Sequence, residues 1–281
     1  LVGVSAIINK IYGVGLIEET RVTIGRDLGS ILGDPNDLAL VLMFPAAFAM
    51  SLITTKQISR WQRWLGIVSA SILFFAIIAT QSRGGLLGIM AVFGVFAYRK
   101  LNNRLLFIAL GAVAAIALYT IAGISDRSSG GAVEQGMGAS AQGRLYAWEA
   151  AGGMARHNPL TGVGIDNFYA NFFFYSPHWD GLNHAVHSTW FGVLAETGFL
   201  GLIVFITMII MLLRLAHRSI EQLSKFTQPP AAIVATATAV YAGLIGTIVA
   251  GTFLTQGFTW PIYILAALVL ALARWVKVQN Q

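Results

Sequence analysis

His184 and His187 stand three residues apart just ahead of a long apolar run, and Glu196 lies in that run's first turns. A neutral imidazole at a water boundary can accept a proton from a hydroxyl nucleophile, because its ordinary pKa lies near operating pH. His-x-x-His also invites a metal, with His178 or Asp180 as further ligands. However, neither HExxH nor a compact carboxylate cluster accompanies it, so the proton-acceptor reading is preferred. Glu196 is nine residues beyond His187, about 13.5 Å of rise on a continuous helix, so spacing alone does not make it the group that orients that histidine.

Three arginines complete the inventory. Arg83 sits in ATQSRGG, between apolar runs so close together that the turn has little room to leave the membrane boundary. A guanidinium there needs a counter-charge or must snorkel to the headgroups. Its permanent charge and planar fork of donors suit a phosphate or pyrophosphate, the simpler alternative being a helix-end anchor. Arg144 is expected to open a helix after a Gly-rich run, where a cation opposes the macrodipole at a cost of about 0.3–1 kcal/mol and an external anion would offset it. Arg156 falls near that helix's C-terminus, where positive charge is favourable without a ligand, so it is the weaker candidate.

These residues must be positioned by membrane helices. Of the 281 residues, 56% are hydrophobic and 11% charged, against about a quarter charged in soluble domains, and the mean hydropathy is +0.71. The apolar residues come in blocks of spanning length: 38–54, 65–80, 84–98, 105–122, 189–213, 233–254 and 258–275. Residues 1–17 read as an eighth span that has lost its beginning, interrupted by Asn9 and Lys10. Glycines 66, 84, 88 and 94, with Ala70 and Ala91, read as close helix packing.

Alternate loops differ in charge. One set, from Lys56 to Lys277, holds eleven basic residues and one acid, Glu221; the other holds six arginines against eleven acids. The basic set is expected to be cytoplasmic. The net charge of +6 then belongs to membrane anchoring, and no nucleic-acid-binding pattern remains to be explained. The absence of cysteine excludes disulfide and thiol chemistry.

The predicted architecture is an all-α polytopic membrane protein. Residues 1–123 form the N-terminal part of the bundle, 124–188 a long extracytoplasmic loop with short helices, and 189–281 the C-terminal helices. The loop opens on a mobile Gly/Ser/Ala-rich stretch, continues through a helix from Arg144 that stops at Asn158-Pro159, and carries an aromatic cluster from Phe168 to Trp179. Tyr169 and Trp179 in that cluster suit interfacial anchoring, a hydrophobic lip for a lipid-linked substrate, or both. No Walker A lysine motif, dinucleotide fingerprint or Asp-rich metal motif appears. Catalysis here would draw on a substrate already activated.

With these pieces in order, the sequence resembles the superfamily of O-antigen ligases and polymerases, and is especially similar to the exosortase-associated O-glycosylation ligases. The resemblance rests on GDPNDLALVLMFP (33–45), SRGGLLGI (82–89), GRLYAWEAAGGMARHNPLTGVGIDNF (143–168) and HSTWFGVLAETGFLGL (187–202). It implies a multi-helix glycosyltransferase of the bacterial inner membrane, its active site facing the periplasm, that takes a glycan from undecaprenyl pyrophosphate without a cofactor. By its motifs, Arg83 and Arg144 would bind the pyrophosphate and His187 would activate the acceptor hydroxyl. Arg156, His184, Glu196, Tyr169 and Trp179 would support the site. Many ligases carry Asn after the histidine where this chain has Ser188. The exosortase-associated type shows His-Ser, so the acceptor is either a lipid A core or a protein hydroxyl.

Arginines can stabilise a leaving pyrophosphate without a divalent ion, and direct in-line attack would invert the anomeric centre. An O-antigen polymerase is the nearest alternative, differing in its acceptor. A transporter is the alternative of another class, and calls for polar groups at mid-membrane or inverted repeats that the sequence does not display.

Overall fold

The computed structural model of the chain describes residues 1–17, 19–101, 103–121, 137–179, 181–255 and 257–279. It is an all-α polytopic membrane protein whose only strands among the described residues form one short hairpin. Among the described residues, five helices are long and apolar enough to cross a bilayer: α2 (Pro35–Thr54), α3 (Arg60–Ala79), α8 (Thr189–Leu223), α9 (Ala231–Gly251) and α10 (Trp260–Gln279). The two remaining expected spans are also helical, as α4 (Arg83–Lys100) and α5 (Arg104–Ile121).

The first stretch departs from the expected span. Helix α1 (Val2–Tyr12) ends where Gly13 turns left-handed, and Leu16–Ile17 (β1) pairs antiparallel with Arg21–Val22 (β2). The interrupting polar residues explain the change. Asn9 donates to the Thr23 carbonyl at 2.9 Å and the Lys10 ammonium bonds the Thr20 carbonyl, so both side chains tie the helix end to the hairpin.

Local chemistry sets the helix starts. Asp34 accepts from the backbone N–H groups of Asn36 and Asp37 at 2.7 and 3.3 Å, with Pro35 at the first helical position of α2. Ser59 and Gln62 form a capping box on α3, and Ser82 caps α4 by accepting from Gly85 at 3.1 Å.

Two compact units divide the chain. The first comprises Leu1–Ser125, Leu212–Ala250 and Pro261–Gln281; the second comprises Asp126–Met211 and Gly251–Trp260. In the first, small residues let backbones approach. A Cβ at Gly88 would lie 2.2 Å from Met43 Cε and 3.0 Å from Ala250 Cβ, so the close packing expected there holds.

In the second unit, α6 (Met137–His157) presents Ala147, Ala150, Ala151 and Met154, spaced i, i+3, i+4, i+7, to Phe168 and Phe172 of α7 (Phe168–Tyr175). Each large side chain so buried from water contributes about 1.5–3 kcal/mol. Helix α6 starts seven residues before the predicted position. Ala139, Ala141 and Gln142 are compatible with helix and extend it back through part of the Gly/Ser/Ala-rich stretch. The rest of that stretch falls within residues 122–136, which lie outside the described residues.

Candidate active site

Arg83 belongs to the first unit and occupies the first helical position of α4, directly after the Ser82 cap. Its side chain is half-buried, and Nε is sealed from solvent with no hydrogen-bond partner among the described residues. A buried donor left unmade costs about 1–3 kcal/mol, so this geometry leaves capacity for an anionic oxygen. The partial positive charge of the α4 N-terminus acts in the same direction.

The remaining predicted residues lie in the second unit. His187 is half-buried between fully buried Val186 and Ser188, and its backbone is left-handed at φ 45°. That conformation is uncommon outside glycine and costs on the order of 1–3 kcal/mol, so neighbouring structure must hold it.

Trp148 of α6 supplies that hold from both sides of the histidine. Its indole N–H donates to the Val186 carbonyl at 3.0 Å, and its ring stacks on Phe191 with centroids 5.0 Å apart and planes 9° from parallel. The start of α8 is pinned as well, since the Thr189 hydroxyl donates to the Leu254 carbonyl at 2.7 Å and Trp190 Nε1 to the Thr252 hydroxyl at 3.2 Å.

Arg144 is half-buried on α6, one turn before Trp148 and therefore on the same helix face. It does not open the helix as expected. With α6 beginning at Met137, Arg144 sits in the third turn, where the terminal macrodipole penalty no longer applies.

Glu196 serves the scaffold. Helix α8 breaks at Gly198, which adopts φ 69° and ψ −171°. In an unbroken helix the Phe199 N–H would reach the Ala195 carbonyl. It donates instead to the Pro159 carbonyl at 2.8 Å, while the freed carbonyls of Ala195 and Glu196 accept from Val163 and Gly164 at 2.9 and 3.0 Å. The buried Glu196 carboxylate accepts from the Phe168 N–H at 3.2 Å, at the first position of α7. Acid and loop together thus set the aromatic helix.

The other histidines are held elsewhere. His184 packs edge-on against Phe172, with centroids 5.4 Å apart. His178 stacks on Tyr146 at 3.9 Å and lies 3.5 Å from the Glu149 carboxylate, so it faces α6. Asp180 falls outside the described residues, and among those described no three His, Asp or Glu side chains form a metal-holding group.

Arg156 is exposed and donates to the Gly152 carbonyl of its own helix at 3.2 Å. Tyr169 and Trp179 are 59% and 45% exposed, and with exposed Phe173 and Phe174 they form an aromatic surface suited to a membrane interface. Trp179 packs across Phe173 at 4.5 Å.

Trp148, Gly162 and Gly198 do not stand out as functional in the sequence. A Cβ at Gly162 would lie 2.4 Å from the Ala195 carbonyl oxygen, and one at Gly198 would lie 2.5 Å from that of Pro159. The signal was available in TGVG, where two glycines follow the Asn158-Pro159 stop, and in ETG, where a glycine follows an acid inside an otherwise apolar run.

Residues 67–206 match the family described as O-antigen ligase. No match to the chain was found among curated proteins.

Proposed function

We propose, from the premise that this chain is a member of the O-antigen ligase superfamily through its domain at residues 67–206, that it moves a glycan from undecaprenyl pyrophosphate to an acceptor hydroxyl. The carrying observation is that the matched domain contains all three residues with a chemical part to play: Arg83, Arg144 and His187.

Arg83 and Arg144 neutralise the pyrophosphate. Arg83 brings a buried donor for an anionic oxygen, as well as a permanent charge. The acceptor oxygen attacks the anomeric carbon while the bond from that carbon to the pyrophosphate oxygen breaks, and the electron pair leaves with undecaprenyl pyrophosphate. The hydroxyl proton passes to His187, which later returns it to water. Attack opposite the leaving group inverts the anomeric configuration. These steps use the guanidinium and imidazole groups of the chain without a metal ion.

The aromatic surface around Tyr169, Phe174 and Trp179 supports docking of a polyprenyl-linked donor at the membrane boundary. In this reading the second unit faces the periplasm of a bacterial inner membrane. His-Ser at 187–188 favours the exosortase-associated type and a protein hydroxyl as acceptor, alongside a lipid A core.

The test supplies purified protein in lipid discs with one defined lipid-linked glycan and, separately, a protein with Ser/Thr hydroxyls, a lipid A core and a second lipid-linked glycan. Mass spectrometry of the products then identifies the acceptor. Linkage to protein or lipid core supports a ligase, and elongation of the second lipid-linked glycan identifies a polymerase. Donor left intact with every acceptor, but carried across proteoliposomes, would make the protein a transporter.

A further inference from the structure

Two segments distant in sequence, the hairpin and the start of α2, converge on the turn between α3 and α4. Arg21 of β2 is only 5% exposed. Its Nε donates to the Thr80 carbonyl at 3.2 Å and one terminal nitrogen donates to Asn36 Oδ1 at 3.1 Å. The same Asn36 oxygen accepts from the Ser82 hydroxyl at 2.8 Å, and Ser82 Oγ accepts from the Gly85 N–H as the cap of α4. One residue before Arg21, the Thr20 hydroxyl donates to Gln81 Oε1 at 2.9 Å, and Gln81 holds a left-handed backbone at φ 50°. The hairpin and the start of α2 therefore grip Thr80, Gln81 and Ser82, the three residues that precede Arg83.

We propose that Arg21 is a positioning residue for Arg83: through Thr80 and the shared Asn36 oxygen it fixes the turn from which the Arg83 guanidinium meets a lipid pyrophosphate. The inference rests on the ligase reading and extends it to a residue outside the matched domain. A buried guanidinium is suited to this task because its rigid fork bonds two acceptors on separate elements at once, which a lysine ammonium on a flexible stem does poorly. The α4 N-terminus is thereby tied to two other segments by hydrogen bonds that converge on one asparagine. A group that clamps a ligand needs such support, since a small misplacement of the clamp removes much of its effect.

The experiment uses the full chain in lipid discs and measures binding of undecaprenyl pyrophosphate, donor KM and kcat for glycan transfer, and the thermal midpoint. Arg21→Lys is expected to weaken lipid binding and raise donor KM about tenfold, the size of one charge-assisted hydrogen bond, with kcat changed less than about twofold. Asn36→Ala should reproduce the defect, and Asn36→Asp, which keeps the shared acceptor, should recover most of the binding. Adding Arg21→Lys to Arg83→Lys should cost little beyond Arg83→Lys alone, because one residue acts through the other.

Multiplicative losses in the double variant would show that Arg21 supports the fold independently and would overturn the proposal. Wild-type binding by folded Arg21→Lys would do the same. If Arg21→Lys does not fold, the Asn36 pair decides: equal binding by Asn36→Ala and wild type overturns the proposal. If Arg83→Lys itself binds undecaprenyl pyrophosphate normally, the clamp reading fails and the positioning role fails with it. A defect in Arg83→Lys but not in Arg21→Lys removes the positioning role alone.

Discussion

The Trp148 indole N–H donates to the backbone carbonyl of Val186 at 3.0 Å, across 38 residues of chain. The same ring stacks on Phe191, so α6 holds both flanks of His187 and its left-handed backbone. Trp148→Phe keeps the aromatic stack but removes the donor. One neutral hydrogen bond is worth about 0.5–1.5 kcal/mol, so transfer is expected to fall about two- to tenfold through kcat, with donor binding little changed. Steady-state kinetics beside lipid binding checks this, and an unchanged kcat would separate Trp148 from the placement of His187.

His187 is expected to be the proton acceptor. His187→Asn tolerates the left-handed backbone while removing the base, and His187→Ala removes the base in a second way. Both should lose about 10²–10⁴ in transfer rate while retaining donor binding, and His184→Ala should be milder. Wild-type transfer by folded His187→Asn, under saturating donor and acceptor in a chemistry-limited assay, would falsify an essential base at this position.

Arg83→Lys and Arg144→Lys preserve charge and lose the guanidinium fork. Each is expected to weaken undecaprenyl pyrophosphate binding on the order of tenfold with near-normal protein abundance. Normal transfer at limiting donor by either variant removes that arginine from the clamp.

Gly198 has a conformation open essentially to glycine alone, and an added Cβ would press on the Pro159 carbonyl. Gly198→Ala should cost about 1–3 kcal/mol or more and lower the thermal midpoint, with transfer lost alongside α7 placement. A midpoint equal to wild type would show that the break in α8 does not depend on this residue.

The cysteine-free chain permits clean topology labelling. Leu160→Cys, at a site 70% exposed, should react with a membrane-impermeant thiol reagent added from the periplasmic side. A cysteine replacing exposed Asn103, in a basic loop, should react only once the cytoplasmic face is opened. Reversed labelling would place the second unit on the wrong side for the proposed donor.

The sequence by itself determined the membrane class and the main helices, and it nominated three residues for chemistry. Apolar run length is a local property that the bilayer reads directly, because backbone groups in lipid must be satisfied within the helix. Caps at Asp34, Ser59 and Ser82, and the stop before Pro159, were equally local. Only tertiary structure decided how those residues are held. Trp148 with Val186, Glu196 with Phe168 and Arg21 with Thr80 are separated by 38, 28 and 59 residues. Nothing in the spacing of such pairs distinguishes a partner from a bystander. The same holds for the break at Gly198, where a lone glycine in an apolar helix reads as packing until the carbonyls it frees find Val163 and Gly164. Side-chain chemistry could therefore be nominated one residue at a time, while orientation had to wait for the long-range hydrogen bonds that folding alone brings together.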